Sequence, residues 1–129
     1  MAIYPSAEQI QTLLAGPPDR PVVMVNLLRF KPQADGVDAG LTGEQAYRRY
    51  VDGMRSIVEE AGGRILWVGR VDSTVIGDGA AGFDMVGLVE YPSRQTFVEI
   101  ALSERVQEIG VHRAAGLESQ WLIATTEEA

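Results

Sequence analysis

The chain has 129 residues, a formal charge of −7 at pH 7 and 46% hydrophobic residues, enough apolar material for a single domain, 1–129, with its own core. It holds no cysteine and one histidine, which excludes disulfides, thiolate nucleophiles, cysteine metal sites and any multi-histidine metal site within one chain. The acidic balance repels phosphate backbones and anionic lipid, and no run reaches the roughly 18 apolar residues of a membrane span, so neither nucleic acid nor membrane is expected as a partner. The opening "MAIYPSAEQIQ" has no basic segment followed by an apolar one, which predicts no secretory leader and a cytoplasmic location.

A first helix is expected at about 6–15. Ser6 and Gln9 have the spacing of a capping box, Ile10, Leu13 and Leu14 form one apolar stripe, and "GPP" at 16–18 stops it. "VVMVNLLRF" (22–30) reads as a strand, followed by a loop at 31–43 rich in Gly, Pro and Asp. Thr42 then opens a long helix through a second box with Gln45. Ala46, Tyr47, Tyr50, Val51, Met54, Ile57, Val58 and Ala61 recur along it at three- and four-residue steps, and Gly62 and Gly63 end it. "RILWVGRVD" (64–72) and "DMVGLVEY" (84–91) are the next strands. Ser93 caps a helix carrying Phe97, Val98, Ile100 and Ala101, a short helical turn comes next at 103–109, and "SQWLIATT" (119–126) is the last strand.

The order after the leading helix is β-α-β-β-α-β over about 22–126. This predicts an α+β, ferredoxin-like fold, with a four-stranded antiparallel sheet and both crossover helices on one face. Such a sheet should alternate apolar and polar residues. Instead, Val22, Met24, Leu28 and Phe30 oppose Val23, Val25 and Leu27, and Ile65, Trp67 and Val71 oppose Leu66 and Val68. Both faces are apolar while helices cover one, which predicts a homodimer packed sheet against sheet around a barrel-like core.

Several features bear on chemistry. "GDGAAG" (77–82) matches G-x-G-x-x-G, but a strand comes after it where a dinucleotide fingerprint needs a helix, so it reads as a hairpin loop. Asn26, in an otherwise apolar strand, either bonds backbone or water or orients a ligand. Tyr47 and Tyr50 lie on the helix stripe, with hydroxyls that can reach a polar rim. Arg29, Arg70 and Glu90 sit near strand ends, where an Arg–Glu pair across the sheet competes with a carboxylate-binding arginine beside a base. Trp67 and Trp121 fall on strands, to be packed in a core or interface or to wall a pocket. His112, expected just past the end of the short helix, reads as a solvated cap, a general acid/base or an interface histidine, with Glu118 the nearest downstream carboxylate.

Three stretches, "VVMVNLLRF", "GEQAYRRYVDGMRSIVEEAGGRILWVG" and "DMVGLVEYPSRQTFVEIALSERVQEI", together resemble the DUF1330 family of small bacterial proteins over about residues 22–125. The leading helix, the longer loop at 31–43 and the ending "HRAAGLESQWLIAT" depart from that pattern. The resemblance implies the dimeric α+β barrel superfamily and no particular activity. The expectation is a homodimer binding a small organic molecule between sheet and helices, with no cofactor and no metal. Asn26 and Tyr50 would orient the ligand, Arg70 or Arg113 engage an acidic group, and His112 or Glu90 move a proton in a cofactor-free proton-transfer or oxidation step. The alternative is a non-catalytic interaction or ligand-carrying module, and haem held by His112 is a minor third reading.

Overall fold

The computed structural model describes residues 3–79 and 82–128. Its elements are α1 (Ala7–Leu14), β1 (Val22–Phe30), a single 3-10 turn at Gly36–Asp38, α2 (Gly43–Glu60), β2 (Arg64–Arg70), β3 (Met85–Tyr91), α3 (Arg94–Ala101), α4 (Glu104–Gly116) and β4 (Leu117–Thr125). The strands form one sheet in the order β2-β3-β1-β4, with every neighbouring pair antiparallel. Both capping boxes are formed, Ser6 with Gln9 and Thr42 with Gln45, so orphan N–H groups at the starts of α1 and α2 are satisfied locally.

The core lies between α2 and one face of the sheet. Val22 and Met24 of β1 meet Ile57 and Val58 of α2, Tyr91 of β3 and Ile100 of α3, while Leu28 joins Tyr47, Met85 and Leu117. Burying each such side chain contributes about 1.5–3 kcal/mol. Because β1 alternates, Val23, Val25 and Leu27 point to the other side of the sheet, away from the face on which the described helices pack. Residues placed on one face of β2 by strict alternation are separated by a bulge. The register shifts between Ile65 and Trp67, so Ile65 stays with Val89 on the helix side while Trp67 lies opposite Leu88 on the outer side. Trp67 and Trp121 are 61% and 53% exposed, so neither is a core residue of the single chain.

One expected boundary is wrong. The helix read as ending at residue 109 continues to Gly116 and passes directly into β4 at Leu117, leaving no loop between them. Gly110, which looks like a stop, carries no left-handed backbone angle and stays helical. The stop is Gly116, where α4 meets the start of α2 backbone to backbone. The Gly116 carbonyl accepts from Lys31 N at 2.8 Å, and the Gly43 N–H donates to the Lys31 carbonyl at 3.1 Å. A β-carbon at Gly116 would collide with the Gly43 carbonyl, whereas one at Gly110 would meet nothing.

Alanine at these two glycines of one helix should therefore act with opposite sign. In urea unfolding, Gly116→Ala is expected to lower stability by about 1–3 kcal/mol. Gly110→Ala is expected to raise it by about 0.5–1 kcal/mol, because it removes a helix-interior glycine at no steric cost.

Candidate functional site

Between the helix-facing side of the sheet and the four helices runs a cleft of about 1520 Å³. Its walls are mostly apolar, with Met24, Leu28, Met54, Val58, Val89 and Phe97 among them. Asn26 shares this side of β1 with Met24 and Leu28, and it is the polar break in that row. Its Nδ2 donates to the carbonyls of Met24 (3.4 Å) and Gly87 (3.3 Å), and its Oδ1 accepts from Gln120 Nε2 at 2.7 Å. Gln120 Oε1 in turn accepts from Arg113 Nη2 at 2.7 Å. The same Arg113 nitrogen donates to the Ile3 carbonyl, and the Tyr4 ring lies 5.3 Å from the guanidinium.

The direction of this chain is fixed by its last member. Arginine only donates, so Gln120 must turn its oxygen toward Arg113 and its NH2 toward Asn26, which orients Asn26 in turn. Tyr47 and Tyr50 line the same cleft with ring centroids 5.5 Å apart. Burial is the main cause that pushes both phenols above their ordinary value of 10, and the Arg113 charge opposes it only in part. Both are therefore neutral hydroxyl donors at neutral pH, able to face a carbonyl or carboxylate oxygen.

The other candidates lie elsewhere. His112, expected at a solvated helix end, is within α4 and is not among the residues that line the cleft. Its Nδ1 is 2.7 Å from Asp38 Oδ2, and Asp38, whose side chain is fully buried, also accepts from Arg49 Nη1 at 2.9 Å through Oδ1. This group ties the 3-10 turn to α2 and α4, and Asp38 takes the orienting role for which Glu118 is the candidate in sequence. Glu90 points to the outer side of the sheet and accepts from Arg64 Nε at 3.0 Å, its register partner on β2. Arg70 is held by both oxygens of Glu44 at 3.1 and 2.6 Å. That hydrogen bond is the largest cause keeping the Glu44 carboxyl below its usual range.

The structure thus brings Asn26, Tyr50 and Arg113 together, adds Tyr47 and Gln120, and leaves Arg70, Glu90 and His112 outside the cleft. Sequence reasoning misses Gln120 because it is an ordinary polar residue in a strand. Its only sequence signal is its place on the inward side of β4, opposite Leu28. In the "GDGAAG" loop, Gly77 and Gly82 have left-handed φ of 88° each and lie between β2 and β3, while its residues 80 and 81 fall outside the described residues. Among the described residues no group of three or more His, Cys, Asp or Glu is placed to hold a metal ion, and no helix is long and apolar enough to cross a membrane.

A β-α-β-β-α-β sheet with helices on one face defines an α+β protein of the ferredoxin-like class. Within that class the chain belongs to the family described as Domain of unknown function (DUF1330), which matches residues 37–126. It is similar over nearly its whole length to a protein of unknown function from Rhodopseudomonas palustris, with 31% identity, coverage of 98% of this chain and 97% of that one, and a TM-score of 0.88. More distant likenesses are hydroxynitrile lyase from Passiflora edulis (14% identity, 86% and 96% coverage, TM-score 0.62) and a dimeric ferredoxin-like protein of unknown function from Bacteroides fragilis (10%, 83% and 96%, 0.54). These two share the fold alone. Among curated proteins, no match was found.

Burial also raises the Tyr91 phenol, and with Tyr47 and Tyr50 it sets an alkaline limit. A phenol that is harder to ionise when folded than when unfolded leaves stability intact below its ordinary value of 10, and stability falls as pH rises beyond it. Ultraviolet absorbance of tyrosinate should therefore show these three ionising only together with the loss of native circular dichroism. Their ionisation in a still-folded chain near pH 10 would contradict the burial.

Proposed function

We propose that the protein is a homodimer whose cleft binds a small, largely apolar organic molecule bearing an acidic or carbonyl oxygen. The observation that carries this reading is the chain Arg113–Gln120–Asn26 along an otherwise apolar wall. Arg113 ends that chain as a half-buried guanidinium bonded to two neutral oxygens, those of Ile3 and Gln120. Clefts with apolar walls and a few convergent polar groups are the usual form of a small-molecule site. The guanidinium and the two neutral phenols of Tyr47 and Tyr50 are a donor set suited to an oxygen that carries or develops negative charge. A cofactor-free proton-transfer or oxidation step would rest on that stabilisation, while His112 is bonded to Asp38 and Glu90 to Arg64, and neither lines the cleft. Their placement favours ligand binding over catalysis.

The second copy belongs to the same reading. Val23, Val25, Leu27, Val86 and Leu88 make the outer side of the sheet apolar, and Trp67, Trp121 and Ile123 stand exposed on it. A patch of this kind is covered most simply by its own twin, sheet on sheet at about 10 Å. The dimeric description of the Bacteroides fragilis neighbour supports this arrangement.

Two measurements test the proposal. A thermal-shift screen of aromatic and aliphatic acids and carbonyl compounds should yield ligands that raise Tm for the native chain and for His112→Ala, but not for Arg113→Met or Asn26→Leu. Loss of the shift in His112→Ala would contradict the placement of the site. Light scattering at micromolar concentration should give twice the chain mass for the native protein and the single-chain mass for Leu88→Glu. A native chain that is monomeric would remove the dimer.

A further inference from the structure

The far end of the cleft holds a second arginine, buried more deeply than Arg113. Arg94 is the first residue of α3, lines the cleft and is 9% exposed. Its Nη2 donates to Thr126 Oγ1 at 2.8 Å and its Nη1 to the Leu13 carbonyl at 3.4 Å, while its Nε is buried with no hydrogen-bond partner. Its bonded acceptors are thus neutral oxygens, and among the described residues no carboxylate is paired with it.

That arrangement is electrostatically adverse on three counts. A guanidinium does not lose its proton, so the charge persists on burial. Buried charges are ordinarily paired. Arg94 also stands at the N-terminal, positive end of α3, where an anion is favoured and a cation is not. The C-terminal turn of α1, which supplies the Leu13 carbonyl, offsets part of this through one long contact. Packing nevertheless fixes the side chain in place, since the guanidinium lies so close over Gly16 that a β-carbon there would collide with it. One anion at the Nε side would relieve all three problems.

We infer that Arg94 is an anion-binding residue at this end of the cleft, and that the molecule the cleft takes is an extended, largely apolar carboxylate whose carboxylate sits on Arg94 and whose second oxygen group meets the Asn26–Gln120–Arg113 end. This rests on the cleft being a ligand site and names the class of ligand. The free Nε–H and an adjacent guanidinium N–H form a fork that matches the two oxygens of a carboxylate. Arg20, which donates to the Glu127 carbonyl next to Thr126, does not line the cleft, so among the described residues Arg94 is the one cation facing this end of it, and it balances a monoanion, not a phosphate dianion. The apolar body would run past Tyr91, Phe97, Met24 and Met54 toward Asn26. Asn26 pairs with Leu122, four residues before Thr126, so that path is about 13 Å long, the reach of a medium-length aliphatic chain.

Calorimetric titration of the full chain with decanoate and with methyl decanoate tests this, using native protein, Arg94→Gln and Arg94→Lys. The native protein should bind the acid about tenfold or more tightly than the ester. Arg94→Gln should bind both at the ester's affinity, and Arg94→Lys should keep part of the preference. Circular dichroism checks that Arg94→Gln is folded. If it is not, the native acid-to-ester ratio and Arg94→Lys decide. Equal binding of acid and ester by the native protein, or an undiminished acid preference in Arg94→Gln, overturns the assignment while leaving the cleft as a ligand site. Binding of neither compound overturns the assignment, and failure of the wider ligand screen as well would remove the cleft itself.

Discussion

The sheet has two apolar faces, and the helices of one chain cover only one of them. On the covered side, Ile57 and Val58 of α2 and Ile100 of α3 pack against Val22 and Met24, and a cleft lined by residues of all four helices remains beside this core. On the other side, a row of valines and leucines flanked by two exposed tryptophans faces outward. The division of labour comes from this constraint: the outer face is suited to self-association, and the inner one to a guest.

Polar groups on the inner side are organised by the chemistry of arginine. Because Arg113 can only donate, it sets the orientation of Gln120 and then of Asn26, and the strand amide becomes a fixed feature of the wall. The neutral phenols of Tyr47 and Tyr50 add donors without adding charge. His112 belongs to a different assembly. Its bond to the buried Asp38, with Arg49 on the other carboxylate oxygen, holds a turn of the 31–43 loop against α2 and α4. The sole histidine therefore has a structural partner, at a position separate from the cleft.

Local signals are legible in the sequence, and contacts between distant segments are not. Ser6 with Gln9, Thr42 with Gln45 and Ser93 before α3 each mark a helix start by hydrogen bonds that close within one turn, so four residues suffice to see them. The strands are legible from their apolar runs, and so is the two-faced character of the sheet. The end of α4 is not, because Gly110 carries the same local sign of a stop as Gly116. What separates them is that Gly116 meets Gly43 across the fold. For the same reason Asn26 and Arg113 can be picked out as odd residues one at a time, but their link through Gln120 spans 94 positions in sequence. Asp38 lies 74 positions from His112, and Arg94 looks like an ordinary helix-start residue until the fold places α1 over it. The bulge that turns Trp67 outward is likewise invisible to strict alternation.

The central claim is that the guest sits beside Asn26 and Arg113, not at the histidine. Nitrogen-resolved NMR with the compound giving the largest thermal shift addresses it directly, because Asn26 and Gln120 have side-chain amide signals and His112 has a ring signal. Saturating ligand should move the two amide signals and leave the His112 ring in place. Shifts centred on His112, with the Asn26 and Gln120 amides unmoved, would contradict it.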